Sequence, residues 1–588
     1  MRRQGEKLAG WLTVTAALLL SACGGGSSAP APSPNPAPPA PPAQVTKDEA
    51  FRFLNQATFG ATEAEAARLI ALGDATNAYA RWIDAELPKP ASTLLPYVEA
   101  AFPNPVPTGF NIGSLNAPRV EKWFDNTLRG PDQLRQRVAW ALSQIFVVSQ
   151  VGALQNLPNA TASFYDLLAR DALGDYRRLL EDVTLHPAMG VYLSMLGNQK
   201  AVAGTNLRPD ENYAREVMQL MSVGLVLLNP DGSVQLDAGG QPIATYDQSI
   251  IEGFARVFTG WNWSCPSTNP SCTFATARPQ LAPAPGYNQV LPMQLYAAQH
   301  ETDTKKVLGY PGALPVGAVI PANQTGTRDL QDALNNIANH PNVGPFISKQ
   351  LIQKLVTSNP SAAYVQRVAA IFNNDGSGRR GNLAAVARAI LLDAEARPAT
   401  VGVAPVAPGK VKEPLLRLTQ FWRAYEARSA SGKSGAARNF AGGVSAVFGQ
   451  GPGLSPSVFN FYSPGYAPPG EIANQGMVAP ELQLATEYLN TQATNYFWGQ
   501  AIARTIAQAP GLNVDDMYID TSAEIALAAD SEALVNRVAD RLLGSPARMS
   551  PELKSQAKAQ VERSTIVNTR VADAIYFVAT SPEYVLQR

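Results

Sequence analysis

Residues 24–44 contain only Gly, Ser, Ala and Pro apart from Asn35 and Gln44, and none of them is charged. A segment of this composition cannot bury a hydrophobic core, and it is expected to form an extended, partly polyproline spacer. The fold must therefore be built from the residues that follow the spacer, starting near residue 47.

The residues before the spacer have the three parts of a secretory signal. Basic residues precede an apolar run at 8–20, which ends in Leu-Ser-Ala-Cys at 20–23. The run is too short to span a bilayer as a helix, which needs about 20 residues. A charged head, a short apolar stretch and small residues before a cleavage point are typical of an export signal. The last four residues resemble the lipobox of bacterial lipoproteins, which implies that Cys23 is acylated.

This resemblance implies attachment of the chain to a membrane through a lipid anchor. Gly24 rather than Asp follows Cys23, and by similarity to the sorting rule of enteric bacteria this favours the outer membrane. The predicted organisation is a signal peptide at 1–22, a tether at 23–46, an N-terminal helical lobe at 47–400 and a C-terminal helical lobe at 401–588.

The charge balance and the cysteine content restrict the classes of partner and of site that this chain can have. The chain has 47 Lys plus Arg and 47 Asp plus Glu, so no net field favours nucleic acid, and no nucleic-acid partner is predicted. Besides Cys23, only Cys265 and Cys272 occur. In an oxidising compartment these two cysteines are expected to form a disulfide. A metal pair is the alternative, but no further ligand lies nearby in sequence.

No motif predicts a metal or a cofactor. The three histidines are His186, His300 and His340. No two of them share a helical face, and no His-Glu-x-x-His motif occurs. Gly432-Lys433-Ser434 resembles the end of a phosphate loop, but Ala427 stands where its first Gly is required. The stretch at 443–447 begins like a nucleophile elbow but lacks the last Gly.

Helical periodicity dominates the rest of the chain and predicts an all-α fold with at most a small β-hairpin. Thr62 to Glu65 forms a capping-box pattern at a helix start. A long helix is predicted at 131–150, and others include 210–226, 342–356, 361–372, 382–392 and 531–543. The hairpin is predicted at 233–246. Long Pro/Gly-rich loops such as 450–475 are expected to line a cleft.

Several segments resemble the bacterial family known as domain of unknown function 1800. They are FLNQATFG at 53–60, HPAMGVYL at 186–193, PDENYARE at 209–216, FTGW at 258–261, His300 with Lys305 and Leu-Gly at 308–309, and PSVFNFY at 456–462. The resemblance implies an exported, mostly helical protein without an established activity. It also implies a possible partner, because members are often encoded beside a second exported family.

The chain departs from one branch of that family in the helix at 131–150. That branch carries Trp-His-Asn-His-Phe where this chain has LSQIF at 142–146. A metal role built on those two histidines therefore does not carry over.

A polar stripe on the helix at 210–226 is the main candidate site. Asn212, Glu216 and Gln219 fall on one helix face, with Arg215 beside them. Two interpretations stay open. The stripe is either an internal network of ion pairs and amides that joins helices, or a site in which Glu216 is a general acid or base and Arg215 and Asn212 orient a substrate.

Four other residues are candidates. His300 lies in a loop with Lys305 and is the histidine expected to face a site. Trp261, together with Trp263, is expected either to form a stacking platform for a sugar or to pack around the predicted disulfide.

Two functions follow from these candidates. The first is a binding or assembly protein of the cell envelope. The second is a hydrolase or lyase acting on an envelope or extracellular polymer, with Glu216 and His300 in its site.

Overall fold

Polar side chains that cap backbone amides mark where the first helices begin. Thr46 accepts a hydrogen bond from the Glu49 amide at 3.2 Å, and the Glu49 carboxylate accepts one from the Thr46 amide at 2.9 Å. This reciprocal pair starts α1, Lys47–Ala57. Thr62 accepts from the Glu65 amide at 3.1 Å at the start of α2, Glu63–Ile70. The helix start predicted at Thr62 is confirmed.

The fold is all-α, as the helical periodicity predicts. The computed structural model describes residues 43–102, 115–265, 273–274, 288–397 and 409–588. The helices before residue 200 are α1, α2, α3 Ala78–Glu86, α4 Leu95–Ala101, α5 Ala117–Arg129, α6 Gln133–Ser143, α7 Pro158–Asp171, α8 Tyr176–Leu185 and α9 Pro187–Tyr192.

The remaining helices follow in two groups. Between residues 200 and 400 they are α10 Asn212–Gln219, α11 Gln248–Val257, α12 Gly326–Asn339, α13 Val343–Leu355, α14 Ala362–Asn373 and α15 Leu383–Leu392. After residue 409 they are α16 Pro414–Ala424, α17 Val444–Phe448, α18 Glu471–Asn474, α19 Glu487–Ala503, α20 Ser522–Ala526, α21 Ser531–Leu543, α22 Pro551–Glu562, α23 Val567–Ala579 and α24 Pro582–Val585.

Strand structure in the described residues consists of antiparallel pairs of two-residue strands. The strands are β1 Trp261–Asn262, β2 Gln294–Leu295, β3 Lys305–Lys306, β4 Val319–Ile320, β5 Lys410–Val411 and β6 Leu586–Gln587. They pair as β1 with β2, β3 with β4 and β5 with β6. The predicted hairpin at 233–246 contains isolated bridges, Leu236 to Pro242 among them, and no regular strand.

The two predicted lobes share one hydrophobic core. Residues 43–588 form one compact unit, and one cluster of buried apolar side chains includes members from both sides of the predicted seam. Trp140 on α6 donates to Glu413, which precedes α16, at 2.9 Å. Arg423 on α16 donates to the carbonyl of Gly60 at 2.7 Å. Residues 398–408, which hold most of the seam, lie outside the described residues, so a boundary there stays a prediction.

None of the described helices is both long enough and apolar enough to cross a bilayer. The predicted signal peptide and Cys23 lie outside the described residues, and so does most of the tether.

Candidate functional site

The polar stripe on α10 is divided between solvent, the interior and a cavity. Asn212 is exposed and Gln219 is half-buried. Arg215 pairs with Glu211 at 3.1 Å, and the Glu211 carboxylate also accepts from the Gln248 amide group at 2.9 Å. Arg215 is thus held at the surface of the helix by a neighbour one turn away.

Glu216 lies inward of this surface pair. The residue is 7% exposed, and its Oε2 atom has no hydrogen-bond partner among the described residues. Burial raises the pKa of Glu216, and the opposing effect of Arg215 is smaller. Among the described residues, this carboxylate has no ion pair of the kind that an internal network joining helices requires.

His300 and Lys305 meet at an acidic residue that was not predicted, Asp329 on α12. His300 Nε2 lies 3.0 Å and Lys305 Nζ lies 2.7 Å from Asp329 Oδ2. The other ring nitrogen of His300 lies 2.9 Å from the carbonyl oxygen of Thr259. His300 is 2% exposed and Lys305 is 0% exposed. A buried pair with its hydrogen bonds satisfied joins elements of the fold, and neither side chain is open to a substrate here.

The predicted stacking platform is also enclosed. Trp261 lies in β1 and is 4% exposed, and Trp263 is 1% exposed. Stacking on a sugar requires an open ring face, so the two tryptophans pack inside the protein. Cys265 is buried, while Cys272 lies outside the described residues. Their disulfide therefore stays a prediction.

A cavity of about 790 Å³ opens where α10 ends. Its volume falls within the range of about 300–1,000 Å³ that is usual for small-molecule sites. Gln219 from the polar stripe is one of its lining residues. Its apolar lining residues include Leu220, Leu225, Leu228, Val234, Phe346, Val458, Phe459, Met477 and Val478.

Gly224 shapes the wall of this cavity. Its amide and that of Val223 both donate to the carbonyl of Met218, which closes the end of α10. Gly224 has a φ of +74°, and a Cβ at this position would lie 2.9 Å from the Phe346 ring. A side chain would be both strained and obstructed there, so only glycine lets the chain turn from α10 into the cavity wall.

Leu225, Val234 and Phe459 form the cavity mouth. They are 55%, 41% and 58% exposed, respectively. Three large apolar residues left open beside one cavity favour an apolar ligand or partner at this position.

Lys354, Gln144 and Asn460 form the polar floor of the cavity. All three are lining residues, and each is buried. Gln144 Oε1 accepts hydrogen bonds from Lys354 Nζ and from Asn460 Nδ2, both at 3.1 Å. Lys354 Nζ also lies 4.0 Å from the centroid of the Tyr462 ring. The floor thus presents an amine held by one amide oxygen and one aromatic face.

The buried carboxylate of Glu413 lies next to the floor, and three side chains donate hydrogen bonds to it. Glu413 Oε2 accepts from the side chains of Trp140, Gln144 and Gln450 at 2.9, 3.0 and 3.2 Å. Burial by itself raises the pKa of Glu413, but nearby Lys410 and Arg137 outweigh that effect and lower it. Glu413 is therefore a charged support for the floor, held through its Oε2 atom.

The amine of Lys354 and two amide groups of the cavity lining can form hydrogen bonds with a ligand. Burial lowers the pKa of Lys354 to about 8, and the attraction of Glu413 is the smaller, opposing effect. Asn460 Oδ1 has no hydrogen-bond partner among the described residues, and neither has Gln350 Nε2, another lining atom. A cationic donor, an amide donor and an amide acceptor can therefore position a polar group at the base of an apolar cavity.

Sequence reasoning missed this floor because its parts are distant in the chain. Gln144 and Lys354 are 210 residues apart, and Gln144 and Asn460 are 316 residues apart. Two signals were available. Asn460 lies within PSVFNFY at 456–462, and Gln144 lies within LSQIF at 142–146, where the other family branch carries histidines.

Comparisons with known proteins agree with the sequence motifs. A family model described as "Protein of unknown function (DUF1800)" matches residues 52–586. No curated protein and no solved structure matches the chain.

Proposed function

The chain belongs to the DUF1800 family, and we propose that it is an exported, membrane-tethered binding protein of the cell envelope. Its ligand is an amphipathic molecule that enters the 790 Å³ cavity. The export signal, Cys23 and the tether support the location, and the cavity supports the binding role.

One observation carries the proposal, namely an apolar mouth above a polar floor. The mouth residues Leu225, Val234 and Phe459 match the hydrophobic body of a ligand. At the floor, the Lys354 amine matches a carboxylate or another acceptor group. Burying the apolar part contributes roughly 25 cal/mol per Å², and the buried amine selects the polar end.

The test is the chemistry of molecules that copurify with the protein. Wild type and variants would be purified from native membranes, and organic extracts would be compared by mass spectrometry. We expect an apolar species with an acidic or accepting group in extracts of wild type. Phe459→Asp, at the mouth, and Lys354→Met, at the floor, should each lose it.

Val316→Asp is the matched control, because Val316 is 84% exposed and is not a lining residue of the cavity. This variant should retain the ligand. Equal extracts from wild type, Phe459→Asp and Lys354→Met would contradict the proposed binding site.

The cavity mouth also fits the assembly role. A partner exported with this chain would contact Phe459 and Leu225, and the exposed apolar area there gives it a surface. Cross-linking in intact cells should capture this partner with wild type and lose it with Phe459→Asp. A partner captured equally by both chains would place the contact elsewhere.

A carboxylate-dependent hydrolase or lyase is the second candidate, and Glu216 is the observation that favours it. Buried carboxyl groups with raised pKa values are typical of general acids. The test is release of soluble fragments from envelope polymers by wild type and by Glu216→Gln. Release by wild type alone supports the enzyme, and no release by either chain rejects it.

A further inference from the structure

A second, smaller cavity of about 50 Å³ lies among basic residues. Its lining includes Arg52 from α1, Lys412 beside β5, Arg548, and Arg588 beside β6. One water molecule needs about 10–15 Å³, so the space accepts a group larger than a single water. It shares no lining residue with the 790 Å³ cavity.

Lys412 is a buried lysine in the lining of this small cavity. It is 4% exposed, and its Nζ atom forms neither a hydrogen bond nor an ion pair with any described residue. The contact it makes is with the ring of Tyr584, whose centroid lies 4.4 Å from Nζ. A buried cation without an anion is costly, because the aromatic face replaces little of the lost hydration.

Neighbouring charges increase this cost. Burial, with smaller contributions from the nearby Arg417 and Arg548, lowers the pKa of Lys412 to about 7. Lys410, two residues earlier, shows the opposite arrangement, since its Nζ atom lies 2.9 Å from the Glu481 carboxylate. The chain therefore supplies an acidic partner to one of these lysines and leaves the other facing a cavity.

The side chains that line the small cavity include four basic groups and one acidic group. Glu583 is the one acidic residue in the lining, and its carboxylate accepts from the Ser550 amide at 3.1 Å. Arg548 pairs with Asp48, which is not a lining residue. The net charge of the lining residues is therefore positive.

We propose that this cavity binds a small oxyanion of the phosphate type, with Lys412, Arg548 and Arg588 as its ligands. The anion supplies the negative charge that Lys412 lacks, and the arginines add directed hydrogen bonds. Free phosphate and the terminal phosphate of a monoester have the same chemistry at this site.

Titration calorimetry on the full-length protein in nonionic detergent tests the assignment. The probes are inorganic phosphate and hexyl phosphate, each at constant ionic strength with sodium chloride as the reference. We expect saturable binding of phosphate groups. Tighter binding of hexyl phosphate identifies a monoester as the source, and tighter binding of inorganic phosphate identifies the free ion.

Two variants and a control locate the site. Lys412→Met should weaken phosphate binding about tenfold or more, because a hydrogen bond between charged groups is removed. Arg588→Gln, at a partly exposed position, should weaken it about threefold while the fold is kept. Lys306→Met removes an exposed lysine outside the cavity and should bind as wild type does. Absence of saturable binding, or equal affinity of wild type, Lys412→Met and Arg588→Gln, would overturn the proposal.

Discussion

Replacing Lys354 by Met should stabilise the protein, although it removes a buried hydrogen bond. The pKa of this lysine falls from 10.5 to about 8 on folding, chiefly through burial. That depression corresponds to a cost of about 3 kcal/mol for keeping the amine charged near neutral pH. Met has a similar length and carries no charge, so the variant avoids this cost.

Part of the gain is offset by the contacts that are lost. The bond from Lys354 Nζ to Gln144 Oε1 and the contact with the Tyr462 ring each contribute about 1 kcal/mol. Gln144 Oε1 retains its bond from Asn460 Nδ2 at 3.1 Å, so the amide oxygen stays paired. We expect a net gain of about 1–2 kcal/mol in the free energy of unfolding near neutral pH.

The pH dependence of this difference gives a second, sharper test. Since the folded pKa lies below the unfolded one, the unfolded chain binds the extra proton between pH 8 and 10.5. Wild type therefore becomes more stable relative to the variant as the pH rises through that window. Between about pH 7 and pH 9.5 the advantage of Lys354→Met should shrink by about 2 kcal/mol.

Urea unfolding of the full-length protein, followed by tryptophan fluorescence, measures both effects. Lys349→Met is the matched control, because Lys349 lies on the same helix, α13, and is exposed. This control should change the free energy of unfolding by less than about 0.5 kcal/mol. A loss of more than about 1 kcal/mol in Lys354→Met would refute the reasoning, since it would show that the amine is well compensated in the folded state.

Three further predictions concern Glu216, Cys23 and the pair of Cys265 and Cys272. Glu216→Gln should leave the free energy of unfolding unchanged or raise it, because this carboxylate lacks an ion-pair partner among the described residues; a loss of more than about 2 kcal/mol in urea unfolding would contradict this, with Glu211→Gln as the surface control. Cys23→Ala should incorporate no acyl label and leave the membrane fraction, and unchanged labelling would reject the lipid anchor. Mass mapping of the non-reduced exported protein should find Cys265 and Cys272 in one linked peptide, and free thiols at both would reject the disulfide.

Helices with strong caps could be predicted closely from the sequence. The helix predicted at 361–372 is observed as α14, Ala362–Asn373, and Ser361 caps it by accepting from the Tyr364 amide at 3.1 Å. The helix predicted at 531–543 has those same bounds as α21. In both cases a polar residue directly before an apolar periodic run fixes the start locally.

The helix predicted at 131–150 is shorter in the structure, and the reason lies in its burial. It is observed as α6, Gln133–Ser143, and nearly all of its residues are buried. The apolar residues at 145–148 continue the buried pattern past Ser143, so the pattern gives no sign of where the helix ends. The end matters for the site, because Gln144 is the first residue beyond it and its side chain reaches the cavity floor.

The candidate site was predicted less well, because its chemistry depends on pairings between distant segments. The sequence singled out Glu216 and His300 as unusual, and both are buried. The residues that surround Glu216 and His300 differ, and helical periodicity in the sequence does not predict which residues these are. Asp329 meets His300 from α12, while no described residue forms a hydrogen bond with Glu216 Oε2. Composition identifies residues that are costly to bury, but only the packed structure identifies those whose charge is compensated.

Four buried lysines differ in the same way, because two have a carboxylate partner and two have none among the described residues. Lys305 and Lys410 each lie within 3 Å of a buried carboxylate, Asp329 and Glu481 respectively. Lys354 and Lys412 have no such partner among the described residues, and each lines a cavity. Lys354 and Lys412 line cavities in which an anionic group of a ligand can complete them, so both are the first positions to change in a test of binding.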